Sequence, residues 1–319
     1  MNPTKTSKKW LALETPIRDE LATHWGGDWG CDSEVGTLKA VLLRRPGPEI
    51  ENVKDPESVR WQGIMDPEKA RSQHDALAEY YRSNGITVHY VEKMRQDRPN
   101  ALFMRDAVVM TPEGAIVGRQ AMECRRGEER YAAEALATLG VPIVRTISGT
   151  GIFETACCLW VDAGTVIIGT GNRANMEGFR QVLEVLRPMG VEQFIHLQIP
   201  YGYAHIDSIV SFVDKKTAII DPARIPWDVW NSLSEMGVKL LEAPSPEETQ
   251  NLALNVVAVA PGHVIMASGN PVTKKFLEKQ GIQVDEIDIS ELFKGWGSLH
   301  CMTAVLKRDP LGRLKVYSI

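Results

Sequence analysis

No apolar stretch of this chain is long enough to span a bilayer: the best candidate, Leu252 to Met266, is interrupted by Asn255, Pro261, Gly262 and His263. No CxxC pair occurs among the five cysteines, and their odd number and irregular spacing argue against a disulfide framework or a zinc site. Reduced thiols in a cytoplasmic protein are the expectation. Basic charge is also short. Lys and Arg number 36 against 41 Asp and Glu, and no basic stripe of the kind that nucleic acid requires is present. The opening MNPTKTSKKW has no apolar core, so it does not read as a secretion signal. Residues 1–24 are expected to be a tail ahead of a single domain at 25–319. Neither a membrane nor a nucleic acid is an expected partner. A small molecule is, and a homo-oligomer would be ordinary.

Hydrophobic residues make up 44% of the chain, enough for a real core. Within it one junction recurs five times: helix-like residues, then Gly, then Val or Ile opening an apolar strand. It appears as NGITVHYV, LGVPIVRT, MGVEQFIHL, MGVKLLEA and QGIQVDEID, with glycines at 85, 140, 190, 237 and 281. Glycine after a helix is the ordinary C-terminal stop. The helical segments carry apolar faces, such as Phe179, Val182, Leu183 and Leu186, or Trp227, Trp230 and Leu233. Before each of the last four lies an apolar hairpin, turning at TPEG, DAG, DKK and PGH. The repeat reads β-β-α-β. A fifth unit can be assembled from the two ends, SLHCMTAVL pairing with GTLKAVLLRRP. The expected architecture is therefore α/β, with five ββαβ units around a pseudo-fivefold axis. Two ordinary α/β domains are the competing arrangement.

Aligning the strand starts gives FMRD, FETA, AHID, LALN and SLHC. Four end on a polar or reactive side chain: Asp106, Asp207, Asn255 and Cys301. Glu154 and His205 fill the second position. Residues two apart on a strand share a face, so units around an axis would gather these groups at one end. A cysteine, a histidine and a carboxylate that orients the histidine suit nucleophilic catalysis. A nearby imidazolium would lower the thiol pKa, and Glu154 would keep His205 charged. Asp106 and Asp207 would repel an oxyanion, but they match a planar guanidinium.

In these residues the chain resembles the guanidino-group modifying enzymes of the pentein superfamily: arginine deiminases, dimethylarginine dimethylaminohydrolases and amidinotransferases. FMRD with the preceding Asn100, FETA, HID and SLHCMT carry the resemblance, supported by DSEVGTLKAVLLRRPG and GTGNRANMEGF. It implies that Cys301 attacks the guanidinium carbon, that His205 serves as acid and then base with Glu154 as its partner, and that Asp106 and Asp207 grip the guanidinium. It further implies that Arg173 meets the substrate carboxylate, with the region of Arg125, Arg126 and Glu128 assisting; Arg126 and Asn255 join the candidate substrate-binding set. No cofactor or metal is implied. The activity implied is hydrolysis of arginine or a close derivative through a covalent thiouronium, with amidino transfer as the alternative. Many relatives read E-G-G-D where this chain reads Glu154-Thr155-Ala156-Cys157, a departure that leaves the substrate and leaving group open.

Other readings weigh less. Cys157, Cys158, Cys31 and Cys124 read as core, and His300, next to Cys301, reads as structural. GTGNRAN lacks the third glycine of a dinucleotide loop. A non-catalytic pentein would not need five reactive groups in phase. A zinc site from Cys301, His300 and His205 is the remaining option.

Overall fold

The computed structural model describes residues 12–314. Among these residues, fifteen strands form five three-stranded sheets. In each, the middle strand pairs antiparallel with the first and parallel with the third. A parallel return needs a crossover, and a helix supplies it each time. In the second unit, strands Val108–Thr111 and Gly114–Val117 are followed by helix Glu128–Leu139 and strand Ile143–Thr146. The third, fourth and fifth units repeat this order, with helices at Met176–Leu186, Trp227–Glu235 and Pro271–Lys279. The first unit is the split one: Ala304–Arg308 pairs with Leu38–Leu43, which pairs with Thr87–Tyr90 after helix Pro67–Ser83. Each unit touches the next, and the fifth touches the first, so the ring closes.

First and middle strands are buried almost throughout, whereas third strands such as Ile143–Thr146 are half exposed. Strands covered on both faces read as unbroken apolar runs. That is why the hairpins were conspicuous in the sequence. All five helix-stop glycines adopt left-handed backbone, with φ between 73° and 95°. Only glycine reaches this region without a Cβ penalty.

Three expectations need correction. The five polar tetrapeptides are not strand starts. Four are single helical turns just ahead of the strands, at Met104–Asp106, Thr155–Cys157, Ile206–Ser208 and Leu299–Met302, and the fifth is a turn in which Leu252 has φ 58°. Turns of neighbouring units pack on one another at the centre of the ring. There the chain must reverse inside a crowded space, and a tight turn uses its own carbonyls, as in Ala107 N–H to Met104 O and Ile209 N–H to Ile206 O. The second correction lies in the expected tail, where Ile17–His24 is a helix that buries Leu21. The third is Trp227, expected on the apolar face of its helix. It is 68% exposed and stacks on Trp230 at 5.1 Å. Among the described residues, no helix is long and apolar enough to cross a membrane.

Candidate active site

The turns aim their polar side chains into one cavity of about 480 Å³. Cys301, His205, Glu154, Asp106, Asp207, Arg173 and Asn255 all line it. Arg126 does not; Arg125 takes that place on the wall. The reason is local. Arg125 ends the turn Glu123–Arg125 with its side chain folded inward between two buried carboxylates, Asp106 and Glu128. The stretch of Arg125, Arg126 and Glu128 held the right region, but only the ion pairs select the arginine.

Cys301 sits in the turn Leu299–Met302 and is 8% exposed. Asn255, from the fifth unit, holds that turn. Its Oδ1 accepts from the N–H groups of His300 (3.0 Å) and Cys301 (3.2 Å) and from the Cys301 thiol (3.4 Å). Asp207 Oδ2 lies 3.8 Å from Sγ. Burial, then the charges of Asp207 and Asp106, push the thiol well above its ordinary pKa. Among the described residues no hydrogen bond joins Sγ to His205, so the expected thiol–imidazolium pair is not formed. The partners of Sγ are Asn255 Oδ1, Asp207 Oδ2 and the Ser298 backbone, and of these Ser298 and Asn255 work to lower the pKa.

His205 is held elsewhere in the cavity. Its Nε2 lies 2.7 Å from Glu154 Oε2, and its Nδ1 lies 3.5 Å from Asp106 Oδ1. Burial disfavours the imidazolium, but Asp106 and Glu154 outweigh it and raise the pKa. Glu154 is fully buried, and burial would lift its pKa. The hydrogen bond from His205 and the charges of Arg125 and Arg173 instead hold it well below the usual range. Glu154 Oε1 also accepts from Ala121 N–H at 2.9 Å and from Arg173 at 3.4 Å.

The carboxylates differ in what they leave free. Asp106 accepts from Arg125 through Oδ2, while its buried Oδ1 makes no hydrogen bond and has His205 Nδ1 3.5 Å away. Asp207 Oδ2 accepts from His300 Nδ1 at 2.8 Å, and His300 Nε2 lies 3.4 Å from Glu34. Burial works against the Asp207 charge, yet His300 holds its pKa low. His300 is thus structural in a specific sense, because it orients a cavity carboxylate. Cys157 and Cys158 are fully buried as expected, Cys31 is buried, Cys124 is half-buried, and all five thiols are free.

The zinc set of Cys301, His300 and His205 does not form, since both His300 nitrogens face carboxylates. Among the described residues, the group whose donor atoms come close enough for an ion is Asp106, Glu154 and His205. What the cavity offers is a thiol, a histidine ring held by Glu154 and Asp106 with its pKa raised, and the carboxylates of Asp106 and Asp207. Such a site can bind a planar cation, form a covalent bond at sulfur, and exchange a proton.

The sequence matches the family model described as N,N dimethylarginine dimethylhydrolase, eukaryotic, over residues 58–308. It is 26% identical over 286 residues to the uncharacterized protein YkgA of Bacillus subtilis strain 168, covering 87% of this chain and 95% of that one. An arginine deiminase of Latilactobacillus sakei subsp. sakei is 21% identical over 404 aligned positions, covering 88% and 98%. The fold is shared with the product-bound N-terminal domain of ArgZ, a cyanobacterial arginine dihydrolase (TM-score 0.74, 20% identity, 87% of this chain and 100% of that one). It is shared as well with SxtG, an amidinotransferase from Microseira wollei (TM-score 0.72, 15% identity, 91% and 99%). With most of its length matched by that family model and its five units closed into a ring, the chain belongs to the N,N dimethylarginine dimethylhydrolase family, within the pentein superfamily of guanidino-modifying proteins.

Proposed function

We propose that the chain hydrolyses a guanidino compound, arginine or a close derivative, through a covalent thiouronium on Cys301. One observation carries the reading: a buried thiol shares a cavity with two carboxylates, one of which has an oxygen that makes no hydrogen bond, and with a carboxylate-bound histidine ring. A guanidinium entering between Asp106 and Asp207 would supply the donors that Asp106 lacks. Its positive charge would offset the acids that hold the thiol protonated, so binding would expel the thiol proton to solvent.

The thiolate then adds to the guanidinium carbon, forming a C–S bond. The tetrahedral adduct collapses as the C–N bond breaks and the departing amine takes a proton from His205. Neutral His205 next removes a proton from water, whose oxygen attacks the thiouronium carbon. As the C–S bond breaks, the adduct's hydroxyl proton passes to the departing sulfur, which regenerates the thiol and releases a ureido product. Glu154 keeps the imidazole oriented throughout, and Asn255 fixes the turn that carries the nucleophile. Arg173, already shared with Glu154, is the buried cation available to a substrate carboxylate.

Amidino transfer from arginine to an acceptor amine is the second reading. It is favoured by the small residues Thr155 and Ala156 after the acid and by the fold shared with an amidinotransferase. Mass spectrometry of the intact protein, acid-quenched during turnover with L-arginine, separates the two. Hydrolysis predicts an adduct on Cys301 that retains the whole arginine chain, with ammonia released. An adduct carrying only the amidino group, with ornithine released, supports transfer. If no compound in a panel of guanidines labels Cys301, both readings fail.

A further inference from the structure

The three residues after Glu154, Thr155-Ala156-Cys157, depart from the E-G-G-D pattern and form no part of the cavity lining. They lie behind it, fully buried, in the turn Thr155–Cys157. Thr155 faces the turn of the preceding unit. Its hydroxyl donates to Arg105 O at 2.5 Å, and Arg105 Nη1 donates in return to Thr155 O at 2.8 Å. Arg105 Nη2 reaches on to Cys158 O at 2.5 Å. Among the described residues, this reciprocal pair makes up the hydrogen bonding between the turns Met104–Asp106 and Thr155–Cys157. Arg105 is buried as well, so both partners are shielded from water.

Arg105 precedes Asp106 and Thr155 follows Glu154, and these are the two acids that hold His205. The pair thus sets the separation of the backbone segments that carry the two carboxylates. Arg125 then holds the Asp106 side chain, and Ala121 N–H and Arg173 hold that of Glu154. Cys157 extends the tie to a third turn, because its thiol lies 3.9 Å from the carbonyl of Ala204, the residue before His205. Burial and the charges of Glu154, Asp106 and Asp207 raise the pKa of that thiol and keep it a donor.

We propose that Thr155 is a positioning residue for the acid–base step: its hydroxyl clasps the Asp106 turn to the Glu154 turn, so that both carboxylates close on His205. The proposal rests on the reading of His205 as the acid and base of guanidino chemistry. A reacting group must be held to within a fraction of an ångström, and that hold comes from residues that never touch substrate. A glycine at this position would have no hydroxyl to donate.

Three variants test it. Thr155→Val exchanges the hydroxyl for a methyl at similar shape, Thr155→Ala removes both branches, and Thr155→Ser keeps the hydroxyl. The first readout is the titration of the His205 ring by NMR, its signals identified by their loss in His205→Gln. Burial lowers the His205 pKa, but Asp106, Glu154 and Asp207 raise it above 6.5. Thr155→Val is expected to bring it back toward 6.5, and Thr155→Ser to leave it in place. The second readout is steady-state kinetics with a guanidine that labels Cys301. Thr155→Val should lower kcat roughly 10- to 100-fold with KM changing far less, and Thr155→Ser should recover most of that loss. Thr155→Ala carries both tests if the Val variant does not fold. A hydroxyl that only stabilises the fold would lower Tm in the Val and Ala variants and leave the His205 titration and kcat as in wild type; that result overturns the proposal. Equal losses in the Ser and Val variants would overturn it too. If no guanidine labels Cys301 in the wild type, the guanidino reading fails on its own, and the His205 titration alone decides the clasp: a shift in Thr155→Val that is absent in Thr155→Ser upholds it, and no shift overturns it.

Discussion

His205 and His300 are built to the same electrostatic recipe. Each is buried and each lies between two carboxylates: Glu154 and Asp106 for the first, Asp207 and Glu34 for the second. For both, burial opposes the charged ring, the acids win, and the pKa is raised. Yet His205 lines the cavity and His300 does not. A perturbed pKa therefore fails to distinguish the two. Access does: one imidazole faces space that a substrate can enter, and the other turns both its nitrogens to carboxylates, Asp207 and Glu34.

Replacing the two histidines should separate these roles. His205→Gln removes the group proposed to protonate the leaving amine and to activate water, and kcat is expected to fall about 10²- to 10⁴-fold. Steady-state kinetics on the substrate identified by adduct formation would measure it. A loss in kcat no larger than that of His300→Gln would erase the distinction. For His300→Gln the expected loss is smaller, roughly 10- to 100-fold in kcat/KM. It should fall mainly on KM, because Asp207 loses a charge-assisted hydrogen bond that fixes its orientation.

Much of this site could be read before any coordinates. The five-fold repeat, the split unit and the alignment of Asp106, Glu154, His205, Asp207, Asn255 and Cys301 followed from apolar periodicity and glycine stops, which are local signals. The single-turn geometry of the tetrapeptides was hidden, because FMRD and SLHC carry neither Gly nor Pro to punctuate the chain. Packing at the centre of the ring imposes the turn. Glu34 was hidden for another reason: it meets His300 across 266 positions of sequence, and no spacing rule reaches that far. Asn100 was noticed only beside FMRD; its ties to Val59 and Trp61 required the fold. The choice of Arg125 over Arg126 rested on which of two adjacent side chains finds Glu128.

The pH dependence of catalysis offers a finer separation. If His205 acts as an acid, activity needs its protonated form, and its folded pKa is raised above 6.5. The alkaline limb of kcat/KM against pH, which reports the free enzyme, should therefore lie above pH 6.5 and belong to His205. It should survive in His300→Gln. Its disappearance from that variant would mean that His300, acting through Asp207, controls the proton.

The smallest expected effect concerns stability, where the two histidines should behave alike. A group whose folded pKa is raised stabilises the fold fully below its unfolded pKa, near 6.5, and loses that contribution as pH rises through the folded value. The Tm difference between wild type and His300→Gln should thus be largest at about pH 6 and shrink toward about pH 9. The same trend is expected for His205→Gln, since each ring is an imidazolium between two acids. Thermal unfolding of the three proteins across that range is the check. Parallel curves would mean that both rings are charged structural elements and that only the cavity gives one of them chemistry. A pH-independent gap for His300 alone would mean that its ring is neutral and serves Asp207 as a plain hydrogen-bond donor. The resemblance between the two sites would then be geometric and not electrostatic.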